Sequence, residues 1–524
     1  MTTSARVADP RRSRRVPAPS LGPEPIAADG VLPSGLRVPG PFDAWETFNA
    51  TWDVWSGSHA DAAGLARRAR WRLRELLSAS MAAPLQARRL ARATGLSPAD
   101  LARPIRLSHA LAELPLEAIA PIDRAQMMAE FDDACTDRQV TLQGVQAFLA
   151  HPDRLGEAFL GRYAVWTSSG TTGTPGIYLH DARALAIYDA LETLRLCGFG
   201  WPGRGAQVVE DMLRSPFGEG HRYAMVGATG GHFAGNASVE RIRRLWPWAA
   251  PNVRTLSIMQ PLTALVAQLN EFSPTLLATY PTAAELLAAE AEAGRLRIRP
   301  TEIWLGGEHL SDPVRAQVSQ AFGCRVREGY GASECLSIAW DCGHGSLHVN
   351  SDWVILEPVD RAGRAVAPGV PSHTVLVTNL ANRTQPMIRY DLGDSVTLRA
   401  GGCPCGSPMP AIRVDGRRDD VVEFDGERGP VKLLPLALVT VLEDDAGAFD
   451  FQLVARDRRT LALRLDPVAD ARSLGRLRVA CRRALRSHLD THGLKTVRVI
   501  DDPQAPTRDA ASGKLRRVLH GPSA

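Results

Sequence analysis

Trp166-Thr167-Ser168-Ser169-Gly170-Thr171-Thr172-Gly173-Thr174-Pro175-Gly176 is the stretch on which the reading of this chain turns. Tyr163-Ala164-Val165-Trp166 leads into it and Ile177-Tyr178-Leu179 leaves it. Two short apolar runs about a Ser/Thr/Gly turn predict strand, tight loop, strand. In such a loop the backbone N–H groups and hydroxyls form a concavity suited to phosphate oxygens. It is not a Walker loop, because no Lys follows Gly173 and no helical pattern opens there. A cation for bound phosphate must come from elsewhere in the chain. Ser/Thr/Gly loops are also ordinary turns, so the loop alone assigns no function.

The 524 residues suggest roughly two to four domains and a sizeable core. A hydrophobic content of 45% with 23% charged residues is that of an ordinary globular protein. The formal net charge of +4 is small for this length, so neither a nucleic-acid nor a membrane partner is expected. No apolar run is long enough to span a bilayer. Arg11-Arg12-Ser13-Arg14-Arg15 is followed by Pro17, Pro19, Pro23 and Pro25 rather than an apolar region, which argues against an export signal. Eight cysteines in so long a chain do not make a disulfide framework, and a cytoplasmic protein is expected.

Residues 1–40, rich in Pro, Arg, Ala and Gly, read as a disordered leader. Phe42, Trp45, Phe48, Trp52 and Trp55 fit one helical face, expected to pack on the main body. Between Ala62 and Leu116 the pattern is helical, with Leu73, Leu76 and Leu77 inward and Arg67, Arg68, Arg70, Arg72 and Arg74 on a solvated face. Thr94-Gly95 reads as a helix stop, and Ser97-Pro98 as the cap of the next helix. From Ala164 to Leu398 short β-rich runs such as Ala224-Met225-Val226, Thr275-Leu276-Leu277-Ala278, Ile303-Trp304-Leu305 and Thr374-Val375-Leu376-Val377 alternate with Ala/Leu-rich helices. This predicts an α/β fold with ligands at the strand ends. After Gly416 a hairpin (449–454 and 460–465), a helix (474–488) and a strand (496–500) predict a small α+β module.

Four further stretches supply the loop's company: Glu328-Gly329-Tyr330-Gly331-Ala332-Ser333-Glu334, Ile388-Arg389-Tyr390-Asp391-Leu392-Gly393-Asp394, Gly416-Arg417-Arg418-Asp419-Asp420 and Ser512-Gly513-Lys514. In order and rough spacing, the five resemble the adenylate-forming superfamily of acyl-CoA synthetases, peptide-synthetase adenylation domains and luciferases. Leu114-Pro115-Leu116 leading to Ile122-Asp123-Arg124, with the run Pro386 to Asp394, looks like its phenylacetate–CoA ligase and capsule-synthesis branch. The resemblance covers roughly residue 70 to the end. It implies a large multi-subdomain N-terminal domain (41–415) with a small mobile C-terminal lid (416–524).

The chemistry it implies is attack of a carboxylate on the α-phosphate of ATP, giving acyl-adenylate and pyrophosphate. The acyl group then usually passes to coenzyme A or to the phosphopantetheine of an acyl carrier protein. The expected substrate is an aromatic or other small organic carboxylic acid. Ser168, Ser169, Gly170, Thr171, Thr172, Gly173 and Thr174 would hold the β- and γ-phosphates. Gly307, Glu308, Tyr330, Gly331, Ala332, Ser333, Asp394 and Arg417 would hold the nucleoside, with Asp394 accepting from the ribose hydroxyls. Glu334 would help hold Mg²⁺, which prefers oxygen ligands. Lys514 supplies the missing cation where charge develops, and Asp419 is the expected hinge. His232, Phe233 and Tyr280 are expected in the acyl pocket.

Cys342-Gly343-His344 and Cys403-Pro404-Cys405 carry the thiolate and imidazole ligands of structural zinc, closer in spacing than in zinc fingers. The resemblance implies that Cys342, His344, Cys403 and Cys405 bind Zn²⁺, with His348 a substitute for His344. The chain departs from the family's pattern in two places, of which the second bears on the acceptor. Asp391-Leu392 stands where the family has a basic residue and Thr, and Val421 to Glu427 lacks the family's Lys-x-x-Gly loop. Adenylation of an unusual oxyacid or direct amide formation is one alternative; a non-catalytic nucleotide-binding relative is another, against which Lys514, Glu334 and Asp394 together argue.

Overall fold

The computed structural model describes residues 42–524 except 98–102, 169–174, 197–220, 230, 309, 311, 415–421, 428, 434, 449–450, 466–470, 508–516 and 521–524. The expected disordered leader, and the helix start expected at Pro98 after Ser97, thus lie outside the described residues.

The chain opens with helices α1 (Ala44–Ser58), α2 (Ala62–Ser80), α3 (Pro84–Thr94), α4 (Pro104–Glu113), α5 (Arg124–Ala129), α6 (Phe131–Ala134) and α7 (Leu142–Leu149). Asp43 and Asp61 accept from first-turn N–H groups of α1 and α2, satisfying donors that a helix start leaves open. Gly95, at φ 67°, ends α3 in the left-handed conformation.

Two expectations are corrected here. The aromatic face of α1 does not pack on the body: Trp45 is 69% exposed, and Phe48 and Trp52 are each 61% exposed. The helix docks instead by Ala50, Val54 and Gly57. Small residues allow close approach, and a Cβ on Gly57 would stand 2.6 Å from an Asp352 carboxylate oxygen. The Arg face of α2 is not wholly solvated either. Arg72 is buried, pairs with Asp53 at 2.7 Å and with Asp352 at 3.4 Å, and lies 3.5 Å over the Trp353 ring. Asp352 is also gripped by buried Arg195 at 2.8 Å.

Strands β1 (Ala164–Thr167) and β2 (Ile177–His180) form an antiparallel hairpin with Trp166 opposite Tyr178, as the opening stretch predicts. Helix α8 (Ala182–Leu191) follows and packs against α1. Then β3 (Tyr223–Gly227), β4 (Val253–Ser257), β5 (Leu276–Thr279), β6 (Glu302–Gly306) and β7 (Arg325–Ala332) alternate with α9 (Ala234–Leu245), α10 (Leu262–Phe272), α11 (Pro281–Glu292) and α12 (Asp312–Phe322). These five strands are mutually parallel in the order β7-β6-β5-β3-β4. Antiparallel β8 (Cys335–Asp341) and β9 (Leu347–Val349) extend the sheet beyond β7. A second sheet holds β10 (Val354–Val359), β11 (Thr374–Asn379) and β12 (Tyr390–Asp391). Strands β13 (Val396–Leu398) and β14 (Ala411–Val414) return to the free edge of the large sheet beside β9.

Residues 422–520 build an α+β unit: the hairpin β15 (Val422–Gly426) and β16 (Gly429–Leu433), α13 (Pro435–Ala446), β17 (Phe451–Asp457), β18 (Thr460–Leu465), α14 (Ala471–Thr491), β19 (Arg498–Asp501) and β20 (Val518–His520). Phe424, Leu442, Phe451, Leu453, Leu463, Leu485 and Leu489 give it a core of its own. The α/β alternation and this terminal module match the expected fold class.

Candidate active site

Of the loop that opens the reading, Ser168, Pro175 and Gly176 are described; Ser169, Gly170, Thr171, Thr172, Gly173 and Thr174 are not, and neither are Arg417, Asp419 and Lys514. The described ends show how the loop is closed. Ser168 N donates to Gly176 O at 3.0 Å, and Gly176 N donates back to Ser168 Oγ at 3.2 Å. Gly176 also lies against the Tyr178 hydroxyl, where a Cβ would come within 2.3 Å.

The hairpin β1–β2 grips the turn Ser333-Glu334 between β7 and β8. Trp166 Nε1 donates to Ser333 O at 2.9 Å, and His180 Nε2 lies 3.2 Å from the same carbonyl. Burial holds the His180 pKa down to about 3. The ring is therefore neutral, and Nε2 carries the proton if it donates to Ser333 while Nδ1 accepts from Asn382 Nδ2 at 3.3 Å. Asn379 Nδ2 donates to Glu334 O at 2.9 Å. The Tyr178 hydroxyl donates to Glu334 Oε1 at 2.7 Å and stands 3.0 Å from the Tyr390 hydroxyl. Burial, and then the Glu334 carboxylate, push the Tyr178 hydroxyl well above its ordinary pKa, so it stays protonated and donating. Tyr178 and Tyr390 are fully buried. The predicted Mg²⁺ carboxylate is thus held in one direction.

On the next element Tyr330 donates its hydroxyl to Asp394 Oδ2 at 3.0 Å, uniting two predicted nucleoside residues 64 positions apart. Asp391, in the place of the family's basic residue, accepts from Gly393 N at 2.8 Å. It shapes the turn, with Gly393 at φ 68°, that presents Asp394. Gly331 cannot carry a side chain, because a Cβ would lie 1.9 Å from the Leu336 carbonyl oxygen. Gly307, at φ 80°, lies against the Tyr280 ring. Burial and Glu308 raise the Tyr280 hydroxyl to about 12, so Tyr280, Gly307 and Glu308 share one neighbourhood. Phe233 bridges to Thr167 at the end of β1. His232 packs its ring 5.8 Å from that of Phe148, and burial lowers its pKa. Its Nε2 is buried with no hydrogen-bond partner among the described residues.

A second cluster lies just past the end of β8, on β9 and in the 403–409 loop. Ligand atoms of Cys342, His348, Cys403 and Cys405 all fall within 4.8 Å of one another. Cys342 Sγ is 3.6 Å from Cys403 Sγ, and Cys405 Sγ is 3.2 Å from His348 Nε2. Two thiolates on a tetrahedral zinc at ~2.3 Å stand roughly 3.8 Å apart, so these donors fit that ion. His348 Nδ1 is tied to Met409 O at 2.8 Å, which points Nε2 at the thiols, the usual orienting bond of a metal-binding imidazole. The imidazole that joins the three cysteines is therefore that of His348 and not that of His344. His344 sits between Gly343 and Gly345, both at positive φ, in the turn that follows Cys342. His348 is on β9 facing the cysteines.

Sequence reasoning passed over Trp166, Tyr178, His180, Asn379 and Tyr390 as holders of the site. Each reads locally as an ordinary strand or loop residue, and the only signal was that all lie in or beside the five motifs.

No family model matches the chain. Over 389 residues it is 25% identical to a phenylacetate-coenzyme A ligase of Thermus thermophilus, a match covering 68% of this chain and 80% of that one. Over 198 residues it is 27% identical to Protein CapK of Staphylococcus aureus, covering 37% of this chain and 42% of the other. Among solved structures, a 2-hydroxyisobutyryl-CoA ligase in complex with 2-HIB-AMP and CoA in the thioesterification state matches with a TM-score of 0.51 at 20% identity, over 88% of this chain and 91% of that one. The last likeness bears on the fold alone. By these relatives the chain is similar to the adenylate-forming superfamily, and within it to the phenylacetate–CoA ligase-like branch.

Proposed function

We propose that this chain is an ATP-dependent ligase that activates a small organic carboxylic acid as its acyl-adenylate and passes the acyl group to a thiol, coenzyme A in the first instance. The observation that carries the reading is the convergence of Ser168, Glu334 and the Tyr330–Asp394 pair on neighbouring elements, with Glu334 held by the buried Tyr178. A carboxylate oxygen of the acid attacks the α-phosphorus, the bond to the bridging oxygen breaks, and pyrophosphate leaves with the electron pair. Such chemistry is mainly positioning and charge stabilisation. Asp394 orients the ribose, Tyr330 offers a flat face to adenine, and Glu334 holds Mg²⁺, which screens the phosphate charge. Lys514 and Arg417 come to the centre from the lid, residues 416–524, which turns about Asp419. His232, Phe233 and Tyr280 line the acyl side. The thiol–imidazole cluster holds a structural Zn²⁺ through Cys342, His348, Cys403 and Cys405. The relative named as a phenylacetate-coenzyme A ligase supports the acceptor.

ATP–pyrophosphate exchange over a panel of aryl, fatty and amino acids tests this. Acid-dependent exchange, lowered about 10²-fold by Lys514→Ala with folding intact, is expected, followed by thioester formation on adding coenzyme A. AMP and pyrophosphate without a thioester would move the assignment to direct amide formation or an oxyacid. No exchange with any acid would overturn it.

A further inference from the structure

The phosphate loop contains no cation of its own, and the described structure brings one to its base. Arg124 opens α5, far from the loop in sequence, and its Nη1 lies 3.3 Å from Ser168 Oγ. The main chain there is firmly set. Asp123 and Gln126 form a capping box at the start of α5. Ile122 N donates to Arg389 O at 3.1 Å, and Asp391 N donates to Ile122 O at 2.9 Å, so the segment joins the edge of the β12 strand. That bridge places Arg124 beside Tyr390, and its charge acts on both the Tyr178 and Tyr390 hydroxyls. Glu443 of α13 is also within its electrostatic reach. A guanidinium is therefore fixed against the one described hydroxyl that closes the loop, on the side of Glu334.

We propose that Arg124 is a phosphate-binding residue, pairing with the terminal phosphates of ATP and with the pyrophosphate that leaves. The inference rests on the adenylate-forming reading. A planar guanidinium presents a fork of donors that matches two phosphate oxygens. Because Arg124 belongs to α5 and not to the loop or the lid, its charge is in place before the lid moves. It thereby divides the electrostatic work: Arg124 holds the leaving pyrophosphate, and Lys514 acts where the carboxylate attacks.

The test is titration calorimetry of the full chain with inorganic pyrophosphate and Mg²⁺, run on the wild type, Arg124→Ala and Arg124→Lys beside melting curves. A lost charge-assisted hydrogen bond predicts about a tenfold to hundredfold weaker pyrophosphate binding for Arg124→Ala, partial recovery for Arg124→Lys, and closely similar melting temperatures. Pyrophosphate binding that Arg124→Ala leaves unchanged would overturn the inference, as would a loss that follows the melting temperature and is not restored by Lys. A wild type that binds pyrophosphate but shows no acid-dependent exchange would instead count against the ligase reading, leaving the Arg124 result legible on its own.

Discussion

Replacing Tyr178 by Phe removes a single oxygen from the interior of the site. The ring keeps its place, since Tyr178 is fully buried in the main core cluster. What goes is the 2.7 Å bond to Glu334 Oε1 and the 3.0 Å contact with the Tyr390 hydroxyl. A hydrogen bond to a charged group contributes roughly 1.5–3 kcal/mol, and each 1.4 kcal/mol is about tenfold. If the bond serves to aim Glu334 at Mg²⁺, Tyr178→Phe should slow exchange about 10- to 100-fold. It should also raise the Mg²⁺ concentration needed for half-maximal rate, because a freely rotating carboxylate binds the ion less well. Leaving the Tyr390 hydroxyl without this partner costs about 1 kcal/mol more, a fall of about 2–4 °C or less in melting temperature for a chain of this size. The assay is pyrophosphate exchange across a Mg²⁺ series, with melting curves alongside. A lower melting temperature with unchanged rate and unchanged Mg²⁺ dependence would refute the reasoning and leave Tyr178 a packing residue.

At the thiol–imidazole cluster, elemental analysis should find zinc in the purified protein, strongly reduced in His348→Ala and Cys403→Ser and unchanged in His344→Ala. A metal-free, fully active wild type would sink that assignment. Glu328 offers a pH prediction: burial lifts its pKa to about 7, with Asp341 adding to the rise and Arg315 opposing it. The folded state thus binds this proton more tightly than the unfolded chain, whose value is about 4.5, and stability falls as pH rises from about 4.5 to about 7. Glu328→Gln keeps Arg315 paired with Asp341 at 2.6 Å. Although it gives up the 2.7 Å pair of Glu328 with Arg315, it should therefore be more favourable at pH 8 than at pH 4.5, by on the order of 3 kcal/mol, read by denaturant melts; equal effects at both pH values would show that folding does not raise the Glu328 pKa.

The strands and helices of the parallel sheet were legible because each apolar run must be buried, and alternation with amphipathic helices leaves few ways to do so. The hairpin about the Ser/Thr/Gly loop and the α+β terminal unit were legible for the same reason. The aromatic face of α1 was misread because spacing shows that residues share a face, not which face docks. There the small residues win, since only they let α1 come close to Asp352. Arg72 looked solvated because its partners, Asp352 and Trp353, lie some 280 residues on.

By itself the sequence determined the order of the five motifs and so the family it resembles, because residue types at fixed spacing carry that information locally. Only the tertiary structure decided that Tyr178 holds Glu334, that Asp391 shapes the turn presenting Asp394, that His348 and not His344 faces the cysteines, and that Arg124 stands against Ser168. Each of those is a contact between segments far apart in the chain. Hydrogen-bond distance and direction are set by how strands register and stack, which no single stretch of residues records.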